Sequence, residues 1–162
     1  MKTFLLPVVA LLAFAYYPEM VAADPSTVAI QQTVNAVEAA RSDINTAARN
    51  LVGMRDSLPA SEMQAAQQII NEAWLVFETA GAIVTAGDIF ERMKAKDDQS
   101  TVFLYFGKAA KRYAKQVDIS LPWINTCLTR ITTPSALAES TKVRDKMIEA
   151  HTASRQFEDA GI

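Results

Sequence analysis

The chain has 162 residues, with 16 basic and 18 acidic side chains, one histidine and one cysteine. That length predicts one domain. A composition that is 50% hydrophobic and 21% charged excludes a disordered chain or a protein of repeated membrane spans. A net charge of −2 creates no strong field, which removes the usual ground for nucleic-acid binding, and 5 Gly and 6 Pro are too few for a many-turned sandwich or barrel.

Residues 1–23 read as a cleavable signal peptide: Lys2 supplies the positive start, and FLLPVVALLAFA over residues 4–15 supplies the apolar run. Val21, Ala22 and Ala23 place small residues ahead of a cut before Asp24. A cut after Ala15 also fits, but the later one leaves Asp24-Pro25-Ser26 as a helix start. The run is too short to span a bilayer and contains Pro7. The expected product is a soluble, exported single domain of residues 24–162, secreted or, in a bacterium, periplasmic. Cys127 is alone, so no internal disulfide forms and the apolar core must carry the fold. Ile124, Cys127, Leu128 and Ile131 share a helical face, which predicts a buried thiol; a link between two chains is the alternative.

Apolar residues recur at helical spacing through the rest of the chain. Asp24 or Ser26 caps a first helix whose stripe is Ile30, Val34, Val37, Ile44, Ala48 and Leu51. Arg41 interrupts that stripe, with a stem able to lie along the core and a head reaching water. Leu58-Pro59 ends the helix near Asp56. A capping box starting at Ser61 opens a second helix with two stripes, one of Met63, Ile70, Phe77 and Val84, the other of Ile69, Val76, Ile83 and Phe90. Ala73, Ala80, Gly81 and Gly87 on the same faces allow close helix contact or leave room for a ligand. Residues 94–99 are polar and predict a turn, after which Asp98 or Ser100 caps a third helix with Val102, Phe103, Phe106, Ala110, Tyr113 and Val117 inward. Residues 119–122 predict a break or kink at Pro122, followed by a short fourth segment over 123–131. Thr133-Pro134 opens a last helix to about Asp159, whose thin stripe of Leu137, Val143, Met147, Ala150 and Phe157 suits an outer cover. The predicted fold is all-α, an antiparallel bundle of four to five helices of four-helix-bundle type.

No motif for catalysis, metal or cofactor is present. His151 and Cys127 are single, Glu149 and His151 do not share a helical face, and there is no glycine-rich phosphate loop or nucleophile elbow. Met54 and His151 are the one pair able to hold a haem, and up-down topology puts them far apart. The expectation is a non-enzymatic protein without a cofactor, metal, nucleic-acid partner or membrane span. Two binding modes fit. In the first, a small hydrophobic molecule or lipid sits beside Trp74, Phe77, Val84, Phe103 and Phe106, in a cavity next to Phe77 and Val84. In the second, Lys108, Lys111, Arg112 and Lys115, at helical spacing and extended by Lys94 and Lys96, form a basic ridge for a protein partner or an anionic surface.

Overall fold

The computed structural model describes residues 25–93 and 100–159, so the signal-peptide reading and the 94–99 turn lie outside the described residues. Four helices follow in order: α1 (Pro25–Arg55), α2 (Ala60–Met93), α3 (Ser100–Leu128) and α4 (Pro134–Asp159). On each, buried positions advance by alternate steps of three and four residues, from Ile30 to Leu51 on α1 and from Glu62 to Phe90 on α2. A mean step of 3.5 residues keeps a seam facing its neighbours and favours near-parallel packing over steep crossings.

The chain runs up and down. Thr33 Oγ1 donates to the Ala153 carbonyl at 3.3 Å, and Asn50 Nδ2 donates to Glu139 Oε1 at 3.1 Å, so the start of α1 lies beside the end of α4 and the reverse. α1 and α3 each pack against α2 and α4; α2 and α4 touch across the middle, and α1 and α3 occupy the diagonal. Met54 and His151 are thus at opposite ends of the bundle. α2 is long and apolar enough to cross a membrane by length and composition, but its seam is spent on its neighbours.

Three local expectations need correction. Of the break or kink expected at Pro122, the break does not occur: α3 continues to Leu128, which makes the helices four of the expected four to five. A proline inside a helix forfeits one backbone hydrogen bond and costs about 3 kcal/mol. Here Tyr113, Val117, Ser120, Ile124 and Cys127 keep one buried seam in step on both sides of it, while the ring itself is exposed. Ser120 Oγ also donates to Glu72 Oε2 on α2 at 2.7 Å, which holds the turn before the proline in place.

α4 is a full wall of the core and not an outer cover. Leu137 is exposed, and the buried seam runs Ala136, Ser140, Val143, Met147, Ala150, Ser154. Two serines in that seam hide it from a reading of apolar residues alone. Ser154 Oγ satisfies itself on the Ala150 carbonyl at 2.9 Å.

The third correction concerns Ser61, which is exposed and does not cap α2. The helix opens at Ala60, with the Pro59 carbonyl accepting from the amides of Glu62 and Met63 at 2.9 and 2.8 Å. Glu62 is buried and reaches across to the α3–α4 connection, where it accepts from Thr132 Oγ1 at 2.6 Å and from the Thr133 amide at 3.1 Å. Those donors, Thr132 first, hold its carboxyl below the usual carboxylate range, against the opposing effect of burial.

Because Glu62 has a depressed folded-state pKa, its contribution is present above the unfolded carboxylate value and is lost as pH falls through the folded one. A Glu62→Gln variant should be less stable than wild type at neutral pH and converge with it in acid, as read by thermal melts across pH. A Cβ on Gly87 would overlap the Val34 side chain of α1, whereas one on Gly53 would meet open space. Gly87→Ala should destabilise by about 1–3 kcal/mol through overpacking, and Gly53→Ala should stabilise by about 0.5–1 kcal/mol through helix propensity. Denaturant melts of the two variants would show the opposite signs.

Candidate functional site

The residues of the apolar-ligand reading fall into two groups. On α2, Trp74 and Phe77 are half-buried and meet edge to face with ring centres 5.6 Å apart, and Val84 lies half-buried further along. On α3, Phe103 meets Phe90 of α2 at 5.3 Å, and Phe106 is fully buried in the core. Phe77 and Phe90 are separated by about 20 Å along one helix, so the two aromatic pairs do not share a space.

Arg41 closes the region beside Phe77. Its guanidinium carbon lies 3.9 Å from the Phe77 ring centre, and its Nε donates to the Phe77 carbonyl at 3.1 Å. The head of this side chain is therefore folded onto α2 instead of simply extending into water. It also fills the room left by Gly81, whose added Cβ would stand 3.5 Å from Arg41 Nη2. The small residues on α2 thus mark where α1 approaches: Gly81 under Arg41 and Gly87 under Val34.

Two open clefts flank Gln64 and Gln68 near the start of α2. One, of about 300 Å³, is lined by Ala65, Trp123, Thr126, Cys127 and Arg130 as well, and the other, of about 390 Å³, by Arg55, Asp56, Ala60, Met63 and Gln67. Phe77, Val84 and Phe106 line neither of them. Cys127 is a free, buried thiol on the α3 seam; burial pushes its pKa up, and the nearby Arg130 and Glu72 act on it in opposite directions. An elevated thiol pKa leaves little thiolate and makes a weak nucleophile. Among the described residues, no three of His, Cys, Asp and Glu gather to hold a metal.

The outer face of α3 is of a different kind. Lys108, Lys111, Arg112 and Lys115 are all exposed, and Lys94 and Lys96 lie outside the described residues. At 100° per residue they fall within one sector of about 120°, together with Leu104, Tyr105, Ile119 and Trp123. Four large apolar side chains on that sector stand in water: Leu104 at 60%, Tyr105 at 49%, Ile119 at 51% and Trp123 at 57% exposure. Two precede the cations along the helix and two follow them.

Ion pairs gather on α4 and at the end of α1, whereas Arg49 and Arg92, like the α3 cations, have no carboxylate partner among the described residues. Arg55 pairs with Asp56, Lys142 and Lys146 with Asp43, Arg144 with Asp145, and Arg155 with Asp118. Among the described residues, no carboxylate pairs with Lys108, Lys111, Arg112 or Lys115. Asp118 is the acid at the margin of the sector, and it is already held on the α4 side by Arg155 Nη2 at 3.0 Å and His151 Nε2 at 3.1 Å. The basic face therefore keeps its charge. Sequence spacing identified the cations but not the apolar side chains at the two ends, whose exposure depends on how α3 is seated in the bundle.

Comparison with family models, curated proteins and solved structures finds no match for this chain. Its surface chemistry has to be read from its own residues.

Arg41 supplies a direct test of the region beside Phe77. Arg41→Ala should cost about 1–3 kcal/mol, from one hydrogen bond, one cation–π contact and lost packing of its stem. It should also increase binding of an apolar fluorescent dye by uncovering the Phe77 ring. Dye titration and a denaturant melt on the same variant would check both.

Proposed function

We propose that the protein is an exported, non-enzymatic binding module whose working surface is the outer face of α3 and whose partner is anionic. The observation that carries this reading is the clustering of Lys108, Lys111, Arg112 and Lys115 on one exposed helix face, with no ion-pair partner for any of them among the described residues. In a chain of net charge −2, such a concentration of unneutralised charge on one helix produces a local field of opposite sign to the whole. Association through it is steered by long-range attraction and weakened by salt. The apolar-ligand reading has less support, since its aromatic residues are divided between two sites and Arg41 occupies the space beside Phe77.

The test is retention on an immobilised polyanion such as polyglutamate. Wild-type binding should weaken as salt rises from about 0.01 to 0.15 M, where the screening length falls from about 30 to 8 Å. The Lys111→Ala/Arg112→Ala variant should bind weakly at every salt concentration. A control that removes the same charge elsewhere, Arg144→Ala/Lys146→Ala, should bind like wild type. Equal loss in both variants would make net charge the cause and overturn the reading.

A further inference from the structure

We infer that the anionic partner of α3 is a lipid bilayer, met side-on, with the apolar side chains at both ends of the face entering the interface and the cations between them on the phosphate layer. This rests on the outer face of α3 being the working surface.

The chemistry of the face is ordered along the helix. Leu104 and Tyr105 come first, then Lys108, Lys111, Arg112 and Lys115, then Ile119 and Trp123, all exposed and within one sector. From Leu104 to Trp123 the helix rises about 28 Å. α3 is one continuous helix across that length, so both apolar ends are presented by a single element. A partner that touches both ends and the cations at once must be flat over that distance and negative over its whole extent. An anionic bilayer surface has both properties, with lipid phosphates at every position along the contact.

The residue types fit the depth each would occupy. Tyr and Trp have an apolar ring and a polar tip, which favours the headgroup boundary over either water or hydrocarbon. Lys and Arg can lay their methylene stems along that boundary while the charge stays with the phosphates. Interfacial helices combine an apolar contribution with attraction to anionic lipid in this manner, and neither term alone holds them firmly. A second copy of this chain is a poor occupant, because it would set one basic face against another. An acidic protein would satisfy the cations, but it has no need of exposed Leu104 and Trp123 at opposite ends.

Trp123 is its own reporter. The chain has two tryptophans, so Trp74→Phe leaves Trp123 as the sole emitter. With vesicles containing phosphatidylglycerol, Trp123 emission should shift to the blue and be quenched by brominated acyl chains; with phosphatidylcholine alone it should do neither. Leu104→Ser/Ile119→Ser, which alters exposed positions only, should lower partitioning onto the anionic vesicles by about tenfold or more. Lys111→Ala/Arg112→Ala should lower it by about thirtyfold, each cation near the surface being worth roughly fivefold. Sedimentation of the otherwise wild-type protein with vesicles gives the same comparison without the Trp74 substitution.

Unshifted, unquenched Trp123 in the presence of anionic vesicles would overturn the bilayer assignment, and so would equal sedimentation of the Leu104→Ser/Ile119→Ser variant and wild type. Polyanion retention distinguishes the two levels of the argument. If the serine variant keeps polyanion binding and loses vesicles, the bilayer assignment stands. If wild type binds polyanion but not vesicles, the basic face has a different anionic partner. If it binds neither, the reading of the face itself fails.

Discussion

Side chains small enough to let four helices approach one another set the shape of this molecule. Ala40, Ala47, Ala66, Ala73, Ala80 and Gly87 alternate with larger residues along the α1 and α2 seams, and a methyl group added at Gly87 would run into Val34. Close backbone approach improves packing, but alanine buries little apolar area, so each residue of the seam contributes modestly. With a single free cysteine there is no covalent help. The deficit is made up at particular points where long side chains cross from one helix to another: Arg41 onto Phe77, Glu62 onto Thr132 and Thr133, and Glu72 onto Ser120. Each fixes the register of two elements, since moving one helix by a turn would leave a buried polar group without its partner.

A narrow core also decides what remains outside. Phe90, Phe106 and Tyr113 are the largest fully buried side chains, and they take up the wider space between α2, α3 and their neighbours. The Tyr113 hydroxyl is buried without a hydrogen-bond partner among the described residues, and burial pushes its pKa upward. Trp74, Phe77 and Trp123 find no such space and sit at the margins. For Phe77 the margin is covered by Arg41; Trp123 stays more than half exposed at the rim of the cleft beside Gln64 and Gln68.

Helical periodicity made most of this architecture legible. The α1 stripe from Ile30 to Leu51 is buried throughout, the stop at Leu58-Pro59 holds, and Thr133-Pro134 opens α4, with the Thr133 carbonyl accepting from the Leu137 amide at 2.9 Å. What misled was polarity inside a seam. Ser140 and Ser154 are invisible to a search for apolar spacing, yet their positions complete the α4 repeat, and Leu137 beside them is the residue left out. Pro122 misled for the converse reason, because its local penalty is plain in the sequence while the long-range seam that absorbs it is not. The basic ridge was legible as spacing. Its lack of pairing was not, because whether a lysine has a carboxylate beside it depends on which residues α2 and α4 bring near.

The outer face of α3 adds little to the stability of the bundle. Lys108 and Lys111, Lys108 and Arg112, Lys111 and Lys115, and Arg112 and Lys115 are like charges three or four residues apart. Each such pair opposes the helix by about 0.2–0.5 kcal/mol, so together they cost on the order of 1–2 kcal/mol at low salt. Four large apolar side chains exposed on the same sector add nothing to the core. The opposite face of α3 supplies everything the bundle requires, through Phe106, Tyr113, Val117 and Ile124. An acid in place of Lys111 or Arg112 would remove the repulsion and leave that inner seam untouched. The proposed anionic partner suits a helix of this kind, since such a surface would offset the repulsion among the cations and cover the exposed apolar side chains together.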